Sequence, residues 1–387
     1  MKKIILCLCI FSYMMADINI SGDARFRPRY QSEDDGTEFG TETVDLYYMY
    51  RARLNLEADI SENWFFNAQI GTPSKAGMTT MGEDYWPSVG DNNSVRPFIA
   101  FTKLYFGYQG DKRGFWAGIV PIGNSSAFDL HFYPENLVDI PWTILNNNCT
   151  TGIAGYENFS DYKLDWFLSV DQNVVNQLEW ADQDTSWNNY YTLGLSTSTE
   201  FNSMVIRPYF LTSFGNDKVW YDDPYDYDDP VFEGTLPTTF GAEVTLPDNL
   251  IENFTVKTSY FMSNYGSPSK KWLEDDDWDE NYYNYEADHL RILLEGPFES
   301  GKIKFFYDIS SIKYNIEPIA GDDDEELIFT NTDELSFMWF SYTKTLYEGE
   351  KGSVTVSPTF RLQNGKVFGD NDYSKSKFEL TTEIKFK

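Results

Sequence analysis

The sequence predicts an all-β protein: a single transmembrane antiparallel β-barrel of 16 strands with short turns at one end and long acidic loops at the other. Three observations predict it. Apolar and polar residues alternate along most of the chain, short and long connections alternate between the segments, and no apolar run after residue 16 is long enough for a membrane-spanning helix. Successive side chains of a strand point to opposite faces, so this alternation gives a sheet one apolar and one polar face.

The first 16 residues have the layout of a signal peptide, so the fold is predicted to begin after them. Lys2 and Lys3 precede an apolar run over residues 4–11, and the small residue Ala16 follows. This arrangement predicts secretion with cleavage after Ala16 and leaves 17–387 as the mature chain.

The predicted cleavage determines which cysteines remain in the mature chain. Cys7 and Cys9 would leave with the signal peptide, and Cys149 would be the only cysteine of the mature chain. An intramolecular disulfide is therefore excluded.

The alternation is clearest over residues 44–60, VDLYYMYRARLNLEADI. The even positions of this segment are all apolar or aromatic, whereas the odd positions are mostly polar and include Arg51 and Arg53. Seventeen residues of alternation far exceed the roughly 5–6 residues of a typical globular strand. A strand of this length is typical of a barrel that spans a bilayer.

Fifteen further segments alternate in a similar way. The predicted strands cover about 18–30, 43–60, 64–71, 96–109, 115–121, 150–158, 162–172, 188–200, 204–214, 237–247, 254–265, 286–296, 302–315, 332–346, 353–363 and 374–386.

Seven short and eight long connections join these segments, so the strand number is even and both termini lie at the short-turn end. Outer-membrane barrels have this asymmetry, with short periplasmic turns and longer external loops. Unpaired backbone groups are costly in hydrocarbon, so the last strand is expected to pair with the first. No linker or change in composition marks a second domain, and one barrel accounts for 17–387.

Composition narrows the functional classes. Without Lys2 and Lys3 the chain carries 28 basic and 61 acidic residues, a formal charge of −33, which argues against a nucleic-acid partner. Aromatic residues make up 18% of the chain, an excess that suits aromatic girdles at two lipid–water interfaces.

The signal peptide, the sixteen alternating segments and the amphipathic last segment KFELTTEIKFK resemble the general porins of Gram-negative outer membranes. The resemblance covers the mature chain and implies a passive diffusion channel for small hydrophilic solutes and ions. It also implies location in the cell outer membrane, contact with outer-membrane lipid and lipopolysaccharide, and assembly as a homotrimer.

In that family the third external loop folds into the barrel, where its carboxylates face a basic cluster on the wall. The corresponding segment here is 121–149, the longest of the predicted loops, and its candidate constriction residues are Asp129, Glu135 and Asp139.

The predicted basic wall consists of residues that share the polar phase of the first, second and last two strands: Arg25, Arg27, Arg29, Arg51, Arg53, Arg361 and Lys385. A charge on the lipid face costs about 2–4 kcal/mol at the bilayer midplane. The shared phase therefore predicts a watery interior, where acidic and basic rows would create a transverse field. Alternatively, these cations pair with nearby carboxylates and only fill the lumen, the candidate partners being Asp23, Glu57, Asp59, Glu379 and Glu383.

Three acidic tracts, at 221–230, 274–280 and 321–326, fall in predicted external loops. They are either simply solvated or gather loosely bound Ca²⁺ or Mg²⁺ that bridges to lipid phosphates. No EF-hand spacing is present, and no cofactor is predicted.

Other functional classes stay open as alternatives. A substrate-selective channel, for example for oligosaccharides, would need an aromatic track inside the barrel, but most aromatics are predicted on the lipid face. A structural or adhesin barrel would have a closed lumen and bind through its acidic loops. An enzyme is not predicted, because the chain has only His131 and His289 and no recognisable catalytic motif.

Overall fold

The computed structural model describes residues 17–34, 42–72, 78–81, 99–122, 149–160, 162–172, 190–215, 235–247, 250–272, 278–318, 329–367 and 371–387. All regular structure in these ranges is β-strand. Within them, no helix has the length and hydropathy needed to cross a membrane.

Seventeen strands are present, numbered here in chain order. They are β1 (Asp17–Asp34), β2 (Thr43–Asp59), β3 (Trp64–Gly71), β4 (Thr79–Thr80), β5 (Ala100–Gln109), β6 (Arg113–Pro121), β7 (Cys149–Asn158), β8 (Lys163–Gln172), β9 (Tyr190–Phe201), β10 (Met204–Gly215), β11 (Thr235–Thr245), β12 (Thr255–Trp272), β13 (Trp278–Phe298), β14 (Gly301–Pro318), β15 (Phe329–Gly349), β16 (Gly352–Val367) and β17 (Asn371–Phe386).

The sheet is closed. Consecutive long strands pair antiparallel, and β1 pairs with β2 on one side and with β17 on the other. At the closing seam Arg29 lies opposite Glu379, and Tyr30 lies opposite Phe378. The predicted 16-stranded antiparallel barrel is therefore confirmed, with β4 as a short additional piece.

Strand β4 interrupts the regular pattern. The third wall strand stops at Gly71, and the chain returns to β2 at Thr79–Thr80, which pairs with Met49 and Tyr50. Two separate pieces thus pair with the same strand. The sequence prediction placed 79–80 in a long loop, because two paired residues are too short for an alternation pattern.

Strands β12 to β15 are longer than predicted. The pairing of β12 with β13 continues as far as Trp272 opposite Trp278. It therefore includes segments that were predicted as loops because their composition is polar and acidic. Backbone pairing does not require apolar side chains once a strand leaves hydrocarbon, which is why hydrophobic alternation underestimates such extensions.

The two faces of the barrel differ as the alternation predicts. Large apolar side chains such as Leu46, Ile292 and Phe378 are exposed on the outer face. The neighbouring inner-face positions include the buried side chains of Arg291 and Glu379. On β13 the outward row changes from exposed Ile292 and Leu290 to exposed Asp288 nearer the long-loop end, so the outer apolar band ends there.

One inner-face glycine is required by backbone geometry. Gly118 on β6 has a φ of +126°, and an added Cβ would lie 2.1 Å from the carbonyl oxygen of Leu104. We expect Gly118→Ala to lower the free energy of unfolding by about 1–3 kcal/mol, since both the φ angle and the close approach oppose a side chain. Urea unfolding of the barrel in detergent, followed by tryptophan fluorescence, would measure this loss.

The matched control is the reverse change at the adjacent position, Ala117→Gly, which should cost only about 0.5–1 kcal/mol. Equal losses for the two variants would contradict a special role for Gly118.

Candidate functional site

A cluster of cations lines the inner face where the barrel closes. We call it the arginine ladder, and it comprises Arg25, Arg27 and Arg29 of β1, Arg51 and Arg53 of β2, and Arg361 of β16. Alternation puts each of these residues on the inner face of its strand, and the β1–β17 pairing brings carboxylates from the last strand beside them.

Glu379 is the centre of one half of the ladder. Its carboxylate binds Arg29, lies 2.9 Å from Nη2 of Arg361 and 3.6 Å from Nη1 of Arg27. The Glu379 side chain is fully buried. One carboxylate of β17 therefore faces three guanidinium groups from its two neighbouring strands, β1 and β16, away from bulk water.

The other half of the ladder is built on Asp23 and Glu383. Asp23 accepts hydrogen bonds from Arg51 at 2.6 Å and from Arg53 at 2.9 Å. Glu383 lies 2.7 Å from Nη2 of Arg25 and 3.7 Å from Nη2 of Arg51. Arg51 thus connects the two carboxylates.

The predicted basic residues differ in how far the lumen can reach them. Arg25 and Arg53 are each 27% exposed, whereas Arg29, Arg51 and Arg361 are buried. Lys385 is 58% exposed and lies 3.8 Å from Glu383 at the short-turn end. All seven predicted cations thus lie on the inner face, but only some can meet a solute.

The arginine ladder forms ion pairs with some of the carboxylates that were predicted as its alternative partners. Asp23, Glu379 and Glu383 are the partners, as that alternative expected. Glu57 and Asp59, two further candidates, make no ion pair within the described residues.

A second buried ionic group lies on β13 and β14. Nε and Nη2 of Arg291 donate to the two carboxylate oxygens of Asp308 at 2.6 and 2.9 Å. His289 is in hydrogen-bond contact with Ser310 at 2.7 Å and has Nε2 3.5 Å from Asp308. The sequence prediction missed this group, although inner-face alternation through 287, 289 and 291 could have shown it.

The inner face also carries a continuous apolar band along β8 to β15. Its buried large side chains are Phe167, Tyr209, Leu211, Phe261, Phe306, Phe337 and Trp339. Among the described residues most aromatics are exposed, as expected for the lipid face, and this buried inner band is the part that the expectation did not include. Aromatic rings cover glycines of neighbouring strands here, since Phe167 lies against Gly194, which leaves no room for a Cβ.

Two guanidinium groups join the ionic groups to this band. The guanidinium carbons of Arg291 and Arg361 each lie 4.1 Å from a ring centroid, over Phe306 and Trp339 respectively. Stacking of this kind holds a guanidinium against a ring face and buries both. A side chain on the wall of a wide open channel would instead be exposed, so water does not reach this sector of the wall.

A cavity of about 1010 Å³ lies at the short-turn end of the barrel, on the side of β2 to β8. We call it the vestibule. Inner-face aromatic residues contribute to its lining, namely Phe65, Tyr105, Trp116 and Tyr156. Rings here make edge and tilted contacts, with centroids 5.9 Å apart for Phe65–Tyr105 and 6.2 Å apart for Trp116–Tyr156.

The vestibule is acidic. Among the described residues that line it are four exposed carboxylates, those of Glu57, Asp59, Glu62 and Asp111, and one cation, Lys163. The Lys163 ammonium is 2.8 Å from Asp165, so its charge is compensated within the protein.

Several predicted features lie outside the described residues. They are the signal peptide at 1–16, the constriction residues Asp129, Glu135 and Asp139, the acidic tracts 221–230 and 321–326, and the side chains of 274–280. At the last residue of the predicted constriction segment, the Cys149 thiol is buried and free. The described residues contain no group of three or more His, Cys, Asp or Glu that could hold a metal ion.

Comparison with known proteins yields similarity of structure only. No protein-family model matches the chain, and neither does any curated protein sequence. A loop-deletion mutant of OmpT, an outer membrane protein of Vibrio cholerae, is 7% identical with a TM-score of 0.53, covering 96% of this chain and 100% of that chain.

Two further solved structures are similar. The trimer form of in-vitro folded OmpT from V. cholerae is 8% identical with a TM-score of 0.51, covering 96% of this chain and 100% of that chain. A mutant of the Rh. blastica porin is 12% identical with a TM-score of 0.47, covering 95% and 99%. At such identities the likeness concerns the fold alone, and the chain therefore has the closed antiparallel barrel fold found in outer-membrane proteins.

Proposed function

We propose that this protein is an outer-membrane channel for passive diffusion of small hydrophilic solutes and ions. The observation that carries the proposal is the inner face of the closed barrel, where Arg25 and Arg53 of the arginine ladder keep partial exposure to the lumen. Charge facing the interior of a sealed cylinder suits a water-filled path. The proposal includes contact with outer-membrane lipid and lipopolysaccharide, assembly as a homotrimer, and no catalytic step.

A solute that crosses the barrel would pass two charged regions, the arginine ladder and the vestibule. The six guanidinium groups of the ladder face three carboxylates, which leaves a formal excess of positive charge beside the lumen. The vestibule below it has the opposite sign. A solute crossing from the short-turn mouth therefore meets a negative region and then a positive one, and ions of either sign are slowed at one of them.

A second candidate function is a structural or adhesin barrel with a closed lumen. The observation that favours it is the buried apolar band, because Phe261, Phe306 and Phe337 are nearly inaccessible although they lie on the inner face. Under this alternative the long loops bind partners, and no solute passes.

Single-channel recordings in planar bilayers separate the two functions. We expect an ohmic, weakly selective current from the unmodified protein. We expect the double variant with Arg25→Ala and Arg53→Ala to raise the cation-to-anion permeability ratio, since it removes the two ladder cations with the best access to the lumen. The reversal potential in a KCl gradient measures this ratio.

The control is Arg113→Ala, which removes one positive charge from an exposed residue paired with Glu157 on the outer face. Its reversal potential should match that of the unmodified protein. No current from correctly folded protein would support the closed barrel, and an unchanged reversal potential in the double variant would remove the ladder from the conducting path.

A further inference from the structure

We infer that the vestibule is a binding site for small organic cations, with aromatic rings and unpaired carboxylates holding an ammonium group. This inference rests on the proposed channel for its role in transport, but the binding itself does not depend on conduction. It names a solute class that the channel would concentrate at its short-turn mouth.

The protein already contains one example of the proposed contact. The Lys163 ammonium lies 4.7 Å from the ring centroid of Tyr156 and 2.8 Å from a carboxylate oxygen of Asp165. The Tyr156 hydroxyl donates to the carbonyl oxygen of Gly110 at 2.6 Å, which fixes the ring. One wall of the vestibule thus shows a cation held between a ring and a carboxylate, the geometry in which cation–π attraction is effective.

The part of the vestibule on β2, β3 and β5 presents the same pair of groups, with no cation paired to its carboxylates among the described residues. Strand register places Asp59 directly beside Phe65 on the inner face. It also places Glu57 two strands from Tyr105, with Asn67 between them, a separation of about 10 Å. The Asn67 side chain lies between them and hydrogen-bonds Tyr105, so an ammonium group would sit on the lumen side of Asn67, with the carboxylate to one side and the ring to the other.

The carboxylates of this wall are available. Within the described part of the chain, Glu57, Asp59, Glu62 and Asp111 make no ion pair. The carboxylates of the arginine ladder differ, since each of them has at least two cationic partners. Carboxylates without partners at the edge of a cavity attract a mobile cation. No ion pair within the protein has to break before that cation binds.

The same features disfavour other ligands. Anions are repelled by four carboxylates against one compensated lysine. Neutral sugars could stack on the rings but would gain nothing from the carboxylate charge. The favoured ligand is therefore a compact organic cation whose alkyl groups contact rings while its charge faces the carboxylates.

The test is calorimetric titration of the full-length folded barrel in maltoside micelles with choline, compared with 3,3-dimethyl-1-butanol, which has the same shape without the charge. We expect choline to bind about tenfold more tightly than the neutral analogue. The double variant Glu57→Gln with Asp59→Asn should weaken choline binding by roughly three- to tenfold. Tyr105→Leu should reduce the preference for choline over the analogue.

The matched control is Glu350→Gln, in the short turn between β15 and β16 at the same end of the barrel but outside the vestibule lining. It should leave choline affinity unchanged, and a heat-modifiable gel shift confirms that every variant is folded. Equal affinity for choline and the analogue, or equal weakening by Glu350→Gln and the double variant, would overturn the inference.

The outcomes also distinguish the inference from the channel proposal, because calorimetry requires no current. A barrel that binds choline but is silent in bilayers overturns only the channel. A barrel that conducts but does not prefer choline overturns only the cation site.

Discussion

We expect Glu379→Ala to lower the free energy of unfolding by about 3–5 kcal/mol, the cost typical of leaving buried charge without its partner. Glu379 is fully buried and faces Arg27, Arg29 and Arg361. Its removal deprives three guanidinium groups on two strands, β1 and β16, of their shared counter-charge. The loss falls on the β1–β17 seam, where residues about 350 positions apart must pair to close the barrel.

Urea unfolding in lipid vesicles, with the heat-modifiable gel shift as a second readout, would measure this cost. The matched control is Glu295→Ala, which breaks an ion pair with Lys302 in which the Lys302 side chain is 60% and the Glu295 side chain 35% exposed. An exposed pair contributes about 0–1 kcal/mol, so the control should remain near the unmodified protein. If the two variants lose the same stability, Glu379 does not hold the seam together.

Many of the barrel strands could be predicted from the alternation of apolar and polar residues, because contact with lipid imposes that alternation on each strand separately. Every outward position in hydrocarbon must be apolar, so the pattern is readable one strand at a time. The predicted range 64–71 coincides with β3, and the predicted range 43–60 differs from β2 by one residue. The same alternation predicts that the side chains of Arg25, Arg51 and Arg361 lie on the inner face.

The sequence could name candidate carboxylate partners, but which carboxylate pairs with which guanidinium group could not be predicted, because it depends on register between strands distant in sequence. Alternation gives the face of Glu379 but not the three guanidinium groups that converge on it. Nor does it distinguish Asp23, which is paired, from Glu57, which lies a few positions toward the turn and makes no ion pair with any described residue. Inner positions tolerate charged, small or aromatic side chains, so the apolar band has no simple signal in single strands.

Leu54 and Asn55 give a direct test of which solvent bathes each face. They are adjacent on β2, with Leu54 exposed on the outer apolar face and Asn55 on the inner face, where it donates to Ser21 and accepts from Gln69. We expect Leu54→Arg to cost about 2–4 kcal/mol of folding stability in a bilayer, since its side chain would enter hydrocarbon. Asn55→Arg should cost about 1 kcal/mol, chiefly through lost hydrogen bonds.

Folding titrations of both variants in phospholipid vesicles would measure the difference, and repeating them in detergent micelles supplies the control. Micelles deform around a charge more readily than a bilayer, so the penalty of Leu54→Arg should shrink there while that of Asn55→Arg stays nearly constant. Equal penalties for the two variants in vesicles would mean that lipid does not cover the Leu54 face. The outer row of exposed apolar side chains would then need a protein partner instead.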